Sequence, residues 1–387
     1  MPPFDTITLT GSPEERGIAH GEAVAGGVAA NVDAYLDRFE HEGVPRGTVR
    51  EQAEAFLALI DDDHPEYAAE MRGVAEGSGV PLVDVTVLNV RWEVIYTAWK
   101  EGVEADDSDP GADAFDPVAD SGSASDADPP PADGCTSFGV TPPATADDRT
   151  YVGQNWDWLA SIADDLLVTR VEREQRPDFL TMTEAGIVGG KIGVNEAGIG
   201  MAVNGLVSAA DGEHPYRTPY HVRFREVMDA ERFDEALDPL VGSPRACSAN
   251  VLLGHADGVA VDLELSPEHV NHLHPSDGVL THANHFESDA VETPAAMDGP
   301  STLYRGRRLR DHLVAHAGEI DPDVVQDGLR DHFSAPASVC KHVDESLPEI
   351  EYGRTNASFV IDLEERRLWG TQGPPCESEY REYRLEG

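Results

Sequence analysis

The 387-residue sequence is nearly without lysine: Lys100, Lys191 and Lys341 are the only three, and arginine supplies the rest of its 28 basic residues. Against these stand 73 acidic residues, for a formal charge of −45. Such a surface repels phosphate, which argues against nucleic acid or an anionic membrane as a partner. The acids are spread along most of the chain, as expected of a strongly hydrated surface whose self-repulsion is screened by high salt. Long apolar runs are also missing. The best small-apolar run, Ala23 to Val32, is too short and too rich in Gly and Ala to span a bilayer. The opening MPPFDTITLTG has no basic stretch followed by an apolar core, so no secretory leader is expected. A reduced cytoplasm is the expected setting. Cysteine is scarce too. Cys135, Cys247, Cys340 and Cys376 lie far apart with no CxxC pair, which speaks against a disulfide framework or a zinc ribbon.

What remains can bury a substantial core, with 40% hydrophobic residues in a length that suits one large domain or two ordinary ones. Residues 1–100 read as mostly helical. Ser12, Pro13 and Glu15 spell a helix entry: a capping hydroxyl, a proline in the first turn and an acid at the third position. The stretch PEYAAEMRGVAEGSG places Tyr67, Met71 and Val74 at helical spacing and is expected to stop at Gly77 and Gly79. LVDVTVLNVRWEVIYTAW is apolar enough to be buried. From Glu101 to Asp133 the chain turns to Asp, Ser, Gly, Ala and Pro, with too little apolar surface to offset its ordering entropy, and a disordered linker is expected there. After Cys135 the pattern changes to strands. CTSFGV and TYVGQNWDWL flank the turn-rich TPPATADDR, a hairpin signature. Later strand runs are interrupted by helical patterns near PYHVRFREVMDAERFDEALDPL and LYRGRRLRDHLVAHAGE. A last strand pair, NASFVIDLEERRLWGTQ, turns at Glu364 and Glu365. Strands divided by helices point to an α+β fold with a mostly antiparallel sheet.

The linker ends at Gly134-Cys135, and that junction has a chemical use. A Cys thiol can attack the carbonyl before it, giving a thioester that water cleaves, and Gly134 carries no side chain to hinder the approach. The product would be a Cys with a free α-amine. Its ordinary pKa, about 8 against about 8.5 for the thiol, lets the amine act as the residue's own base near neutral pH. The plainer reading is a small buried cysteine at a strand start. A rival constellation is His255, His272, His274, His282 and His285, because imidazoles at alternate strand positions can bind zinc. No HExxH accompanies them and no Cys or carboxylate sits at recurrent ligand spacing, so neither a metal nor another cofactor is expected.

GCTSF followed by GQNWDW resembles the C45 peptidase, or acyl-CoA:6-aminopenicillanic acid acyltransferase, family of N-terminal-nucleophile (Ntn) hydrolases. GSPEERGIAHGE, MRGVAEGSGV with LNVRWE, KIGVNEAGIGMAVNGL, THANHF and NASFVIDLEERRLWGTQGPP are similar to further family segments, so the likeness spans nearly the whole chain outside the acidic linker. The resemblance implies a four-layer αββα sandwich. Residues 1–100 would be a helical α-chain segment, 101–134 a linker ending at the autocleavage site, and 135–387 the catalytic β-chain core. It implies that the two chains stay associated after cleavage. Cys135 would be the nucleophile, Asp157 the carboxylate holding the α-ammonium or a substrate amine, and Asn284 an oxyanion donor. Arg305 and Arg354 compete for the family's active-site arginine, although each also reads as a surface ion-pair residue. Asp157 alternatively caps a turn, and Asn284 alternatively sits in one. Trp156 and Trp158 flank Asp157, and alternation puts them on the opposite sheet face, a core-packing position. Asn155 is read on their side of the pleat, brought inward as substrate or oxyanion support only by a turn. The implied activity is hydrolysis of linear amide C–N bonds in small acyl-amide substrates. Acyl transfer from CoA or an amide to an amine is an alternative, and a non-catalytic binding protein retaining the fold is another.

Overall fold

The computed structural model describes residues 4–97, 134–291 and 299–385. The linker expected at 101–133 lies outside the described residues. The chain opens with a strand, β1 (Asp5–Leu9), that pairs in parallel with β4 (Leu166–Val171). The mostly helical reading of the N-terminal segment holds, with this strand as an unforeseen addition: five residues there complete the edge of a sheet built much later in sequence. Helices α1 (Pro13–Ala23), α2 (Ala25–His41), α3 (Arg46–Asp63), α4 (Pro65–Ser78) and α5 (Leu82–Asn89) follow. The entry signal holds. Ser12 Oγ accepts from the Glu15 backbone and the Glu15 carboxylate accepts from the Ser12 backbone, a capping box.

Gly77 does not stop α4; Gly79 does, in the left-handed conformation at φ 75°. Gly77 stays helical because α1 and α4 touch backbone to backbone. A Cβ on Gly17 would lie 2.0 Å from the Glu70 carbonyl oxygen, and one on Gly77 would lie 2.3 Å from that of Ile18. Gly21 and Gly73 complete two facing pairs of glycines spaced one turn apart, and any side chain there would push the helices apart.

Two sheets form the body. One has eight strands in the order β1, β4, β5 (Phe179–Glu184), β6 (Ile192–Asn195), β7 (Ile199–Gly205), β8 (Ala249–His255), β9 (Val259–Leu265) and β10 (Val270–Leu273). The other has six in the order β11 (Val279–His282), β2 (Thr136–Val140), β3 (Tyr151–Leu159), β12 (Gly353–Asp362), β13 (Arg367–Gln372) and β14 (Arg381–Arg384). Apart from the β1–β4 pair, the strand pairs are antiparallel. The expected hairpin of β2 (Thr136–Val140) and β3 (Tyr151–Leu159) is present, with Thr136 opposite Asn155. Small residues let the sheets pack face to face. A Cβ on Gly200 of β7 (Ile199–Gly205) would strike Leu363, and one on Gly254 of β8 (Ala249–His255) would strike Val152. Behind the larger sheet lie α6 (Tyr220–Asp229) and α7 (Phe233–Val241), through a core that includes Met201, Val203, Phe224 and Leu240. Behind the smaller lie α8 (Thr302–Ala315) and α9 (Pro322–Leu329), through Phe138, Val140, Leu309 and Leu329. The result is the αββα sandwich expected from the sequence. Helices α2–α5 share one continuous core with both sheets, in which Val28, Phe56 and Leu88 join Cys135, Leu167 and Phe359. Among the described residues no helix is long and apolar enough to cross a membrane.

Candidate active site

Cys135 is the residue before β2 and is almost fully buried. Its thiol approaches the Asp157 backbone oxygen at 3.7 Å. Antiparallel pairing of β2 with β3 returns Asp157 beside the Gly134-Cys135 junction, as the hairpin length predicts. Asp157 is not a turn cap. It is buried within β3, where Oδ1 accepts from the Thr355 hydroxyl at 2.6 Å, while Oδ2 has no protein hydrogen-bond partner among the described residues. Burial pushes its pKa up to about 7, against the pull of Lys341, Arg305 and the Thr355 hydroxyl. A carboxyl poised there can take up or release a proton near neutrality.

Gly134 is enclosed from two sides. A Cβ on it would lie 2.9 Å from Lys341 Nζ and 3.2 Å from Asp157 Oδ2. Arg305, on α8, supplies the third group. Its Nη1 donates to the carbonyl oxygens of Gly134 and Cys135, both at 2.5 Å, and to Thr136 Oγ1 at 2.9 Å. Its Nη2 donates to Asn284 Oδ1 at 2.8 Å. Arg305 is therefore a buried residue at the junction and not the surface ion-pair residue its sequence context suggested. Arg354 is not brought there. It is half-buried and its Nε bonds Asn356 Oδ1 at 3.3 Å.

Asn284 is buried with both ends of its amide engaged: Oδ1 by Arg305 and Nδ2 on the Gly205 carbonyl at 3.0 Å. In the continuous chain Arg305, and not Asn284, contacts the Gly134 carbonyl. Asn155 shares the face of Asp157, two residues away on an unbroken strand, and this corrects its placement with the tryptophans. Its Nδ2 bonds the carbonyls of Leu329 and Val339 at 2.9 and 2.8 Å, so it anchors the segment leading to Lys341 and touches no reacting group.

A cavity of about 280 Å³ opens on Gly134, Asp157 and Lys341. Its walls include Tyr35 and Phe39 of α2, Trp92, Ile95 and Tyr96 of the helical residues 91–97, and Trp158 and Leu159 of β3. Trp158 thus faces the cavity instead of only packing the core, and its Nε1 donates to Tyr35 Oη at 2.5 Å. Trp156 is the core residue of the pair, with Lys191 Nζ 4.5 Å from its ring centre. Tyr35 in turn donates to Glu184, which also holds Arg91 and Lys191. Sequence reasoning missed Lys341 and this wall, although the scarcity of lysine was a usable signal: both described lysines lie in or behind the site.

The histidine cluster does not converge. His255 sits near Asp257, His272 and His274 stack edge to face, and His285 pairs with Thr302. His282 is buried 3.0 Å from Glu264 and 3.9 Å from Asp262. Burial opposes its charge, but the two carboxylates outweigh burial and push its pKa up to about 9. It is an ion-pair residue. A different group, His332, Cys340, His342 and Cys376, brings metal-ligating atoms together and was not foreseen.

The family model for acyl-coenzyme A:6-aminopenicillanic acid acyl-transferase matches residues 144–375. The chain belongs to this family. A curated relative is the 40 kDa form of acyl-coenzyme A:6-aminopenicillanic-acid-acyltransferase of Emericella nidulans, 28% identical over 95% of this chain and 92% of that protein. Similar solved structures include a conjugated bile acid hydrolase variant from Clostridium perfringens, with TM-score 0.44 and 13% identity over 65% of this chain and 97% of that one. Another is the Caenorhabditis elegans N-acylethanolamine-hydrolyzing acid amidase ortholog, with TM-score 0.43 and 14% identity over 59% and 93%. The acyltransferase family acts on amide bonds, and the matched residues take in Asp157 on β3, Asn284 in the loop after β11 and Arg305 on α8.

Proposed function

We propose that the protein is an autoprocessed hydrolase of linear amides whose nucleophile is Cys135 made N-terminal. The observation that carries this reading is Arg305 Nη1 at 2.5 Å from the Gly134 carbonyl oxygen, with Cys135 next in the chain and Asp157 and Lys341 beside it. In the first reaction Cys135 Sγ loses its proton to Asp157 and adds to the Gly134 carbonyl carbon. Arg305 holds the developing oxyanion, with Asn284 keeping the guanidinium in line. The C–N bond breaks as the Cys135 nitrogen takes up the proton, leaving a thioester, and water releases Gly134 as a carboxylate. Cys135 then has both a thiol and an α-amine.

In turnover the α-amine takes the thiol proton, the thiolate attacks the substrate's acyl carbon, and the α-ammonium returns a proton to the leaving amine. Asp157 balances the α-ammonium. Water cleaves the acyl-thioester. At about 280 Å³ the cavity lies just under the roughly 300–1,000 Å³ range of small-molecule sites, and its aromatic and aliphatic wall suits the acyl part of a short N-acyl compound. No cofactor enters this chemistry. Acyl transfer to an amine is the second reading, favoured by the name of the 28% identical relative. The segment 1–97 stays with the core in this scheme, supported by buried bonds such as Asn89 Nδ2 to the Gly186 carbonyl at 2.9 Å.

The test is a series of N-acyl amides of graded acyl length given to purified protein, with acid-quenched mass analysis. An acyl adduct on the fragment beginning at Cys135, absent in Cys135→Ala, is expected. Turnover that persists in Cys135→Ala would contradict the proposal. Supplying an acceptor amine alongside distinguishes transfer from hydrolysis by the product formed.

A further inference from the structure

His332, Cys340, His342 and Cys376 each offer one ligand atom, and these four atoms lie within 4.8 Å of one another. Cys340 Sγ and Cys376 Sγ are 3.5 Å apart. They lie 3.7 and 3.4 Å from His342 Nε2, which is itself 3.1 Å from His332 Nε2. Hydrogen bonding does not account for this. A neutral imidazole nitrogen has either one proton or one lone pair, yet His342 Nε2 faces three partners. A disulfide does not account for it either, since that bond needs about 2.05 Å. Ligand atoms placed tetrahedrally around zinc, at about 2.3 Å for sulfur and 2.0–2.1 Å for nitrogen, lie roughly 3.8 Å apart for two sulfurs, 3.6 Å for sulfur and nitrogen, and 3.3 Å for two nitrogens. Four of the six separations match those values to within about 0.3 Å, and the two from His332 to the sulfurs are within 4.8 Å.

We propose that these residues bind one zinc ion in a closed Cys₂His₂ site. Two thiolates and two imidazoles are a soft donor set that suits zinc over calcium or magnesium. Binding releases the two thiol protons, and the two thiolate charges cancel those of the ion. The outer contacts agree with this assignment. Glu377 Oε1 lies 3.4 Å from His342 Nδ1, the ring nitrogen away from the cluster, as a carboxylate does behind a zinc-ligating histidine. Four protein ligands leave no open position for substrate, so the ion is structural. Its consequence reaches the active site because Cys340 and His342 bracket Lys341, which lines the cavity beside Gly134. The ion pins both neighbours of that lysine to the C-terminal segment at Cys376. This inference goes beyond the proposed chemistry and does not depend on it.

The test uses the full-length Cys135→Ala chain, so that neither scission nor turnover affects the readout, with Zn²⁺ alone and Co²⁺ alone as probes. Zinc is expected at about one ion per chain after desalting, and Co²⁺ should show thiolate charge-transfer absorption with the intense visible bands of tetrahedral coordination. Adding Cys340→Ser with Cys376→Ser should abolish both signals, and His332→Ala, at an exposed ligand, should weaken Co²⁺ binding by roughly tenfold or more. Should the double serine variant fail to fold, the unmodified cysteines give the second readout: a chelator should expose two further reactive thiols. A pale octahedral Co²⁺ spectrum from surface carboxylates, a Cys340–Cys376 disulfide in reduced preparations, or thiols fully reactive without chelator would each overturn the site.

Discussion

Cys135 and the pair Cys340–Cys376 hold the same functional group in opposite surroundings. Cys135 is a single thiol in an enclosed site, with a guanidinium on the adjoining carbonyl and nearby a carboxyl whose pKa burial pushes up to about 7. Cys340 and Cys376 face each other and two imidazoles at a partly exposed edge. A thiol set among groups that polarise a carbonyl and move a proton is equipped to form and break bonds. A thiol set among other soft ligands is equipped to hold a cation. The two places are joined through Lys341, which belongs to the segment of the second and the cavity of the first.

Substitutions at the first place should leave the second intact. The largest effect beyond the nucleophile itself is expected for Arg305→Met, which takes the donor off the Gly134 carbonyl and should slow scission by about 10²- to 10³-fold, followed by gel densitometry. Retention of the Co²⁺ spectrum would show that the chain still folds. Arg305→Lys should recover only part of the rate, because an ammonium lacks the rigid planar fork with which the guanidinium reaches the Gly134 carbonyl and Asn284 together. An intact scission rate in both variants would remove Arg305 from the mechanism.

The next effect is a pH dependence. With Asp157 as the proton acceptor, scission should rise with pH through about 7 and lose that inflexion in Asp157→Asn. Stability moves the opposite way. The folded-state pKa is above the unfolded value of about 3.9, so the stability linked to the protonated carboxyl is full below that value and is lost as pH rises through about 7. Chemical denaturation of Cys135→Ala, which stays uncut, should show this loss between pH 4 and pH 8, on the order of 1 kcal/mol or more, and the added Asp157→Asn should flatten it. The smallest effect is expected for Thr355→Val. Removing the hydroxyl bond that favours the charged form should move the scission inflexion upward by about one unit at most.

The comparison also shows what the sequence could reveal. Cys135 and Asp157 are close in sequence, and one hairpin joins them, so turn signals and strand alternation sufficed. Ser12, Glu15 and the strand pair turning at Glu364 were legible for the same reason. Gly77 was misread because its helical state depends on a contact with α1 that no local rule contains. Strand β1 was missed because its partner, β4, is formed more than a hundred residues later. Arg305 looked like a surface residue until α8 was packed against β2. The Cys340 cluster was hidden by its spacing, since Cys376 follows β13 (Arg367–Gln372) and only the antiparallel pairing of β12 with β13 returns it to the entrance of β12.

The most direct measurement is the intact mass of the freshly purified chain beside that of Cys135→Ala. The account predicts two fragments for the unsubstituted protein, the second beginning at Cys135, and one uncut chain for the variant. A single uncut chain in both, in protein that still turns over an acyl amide, would contradict it.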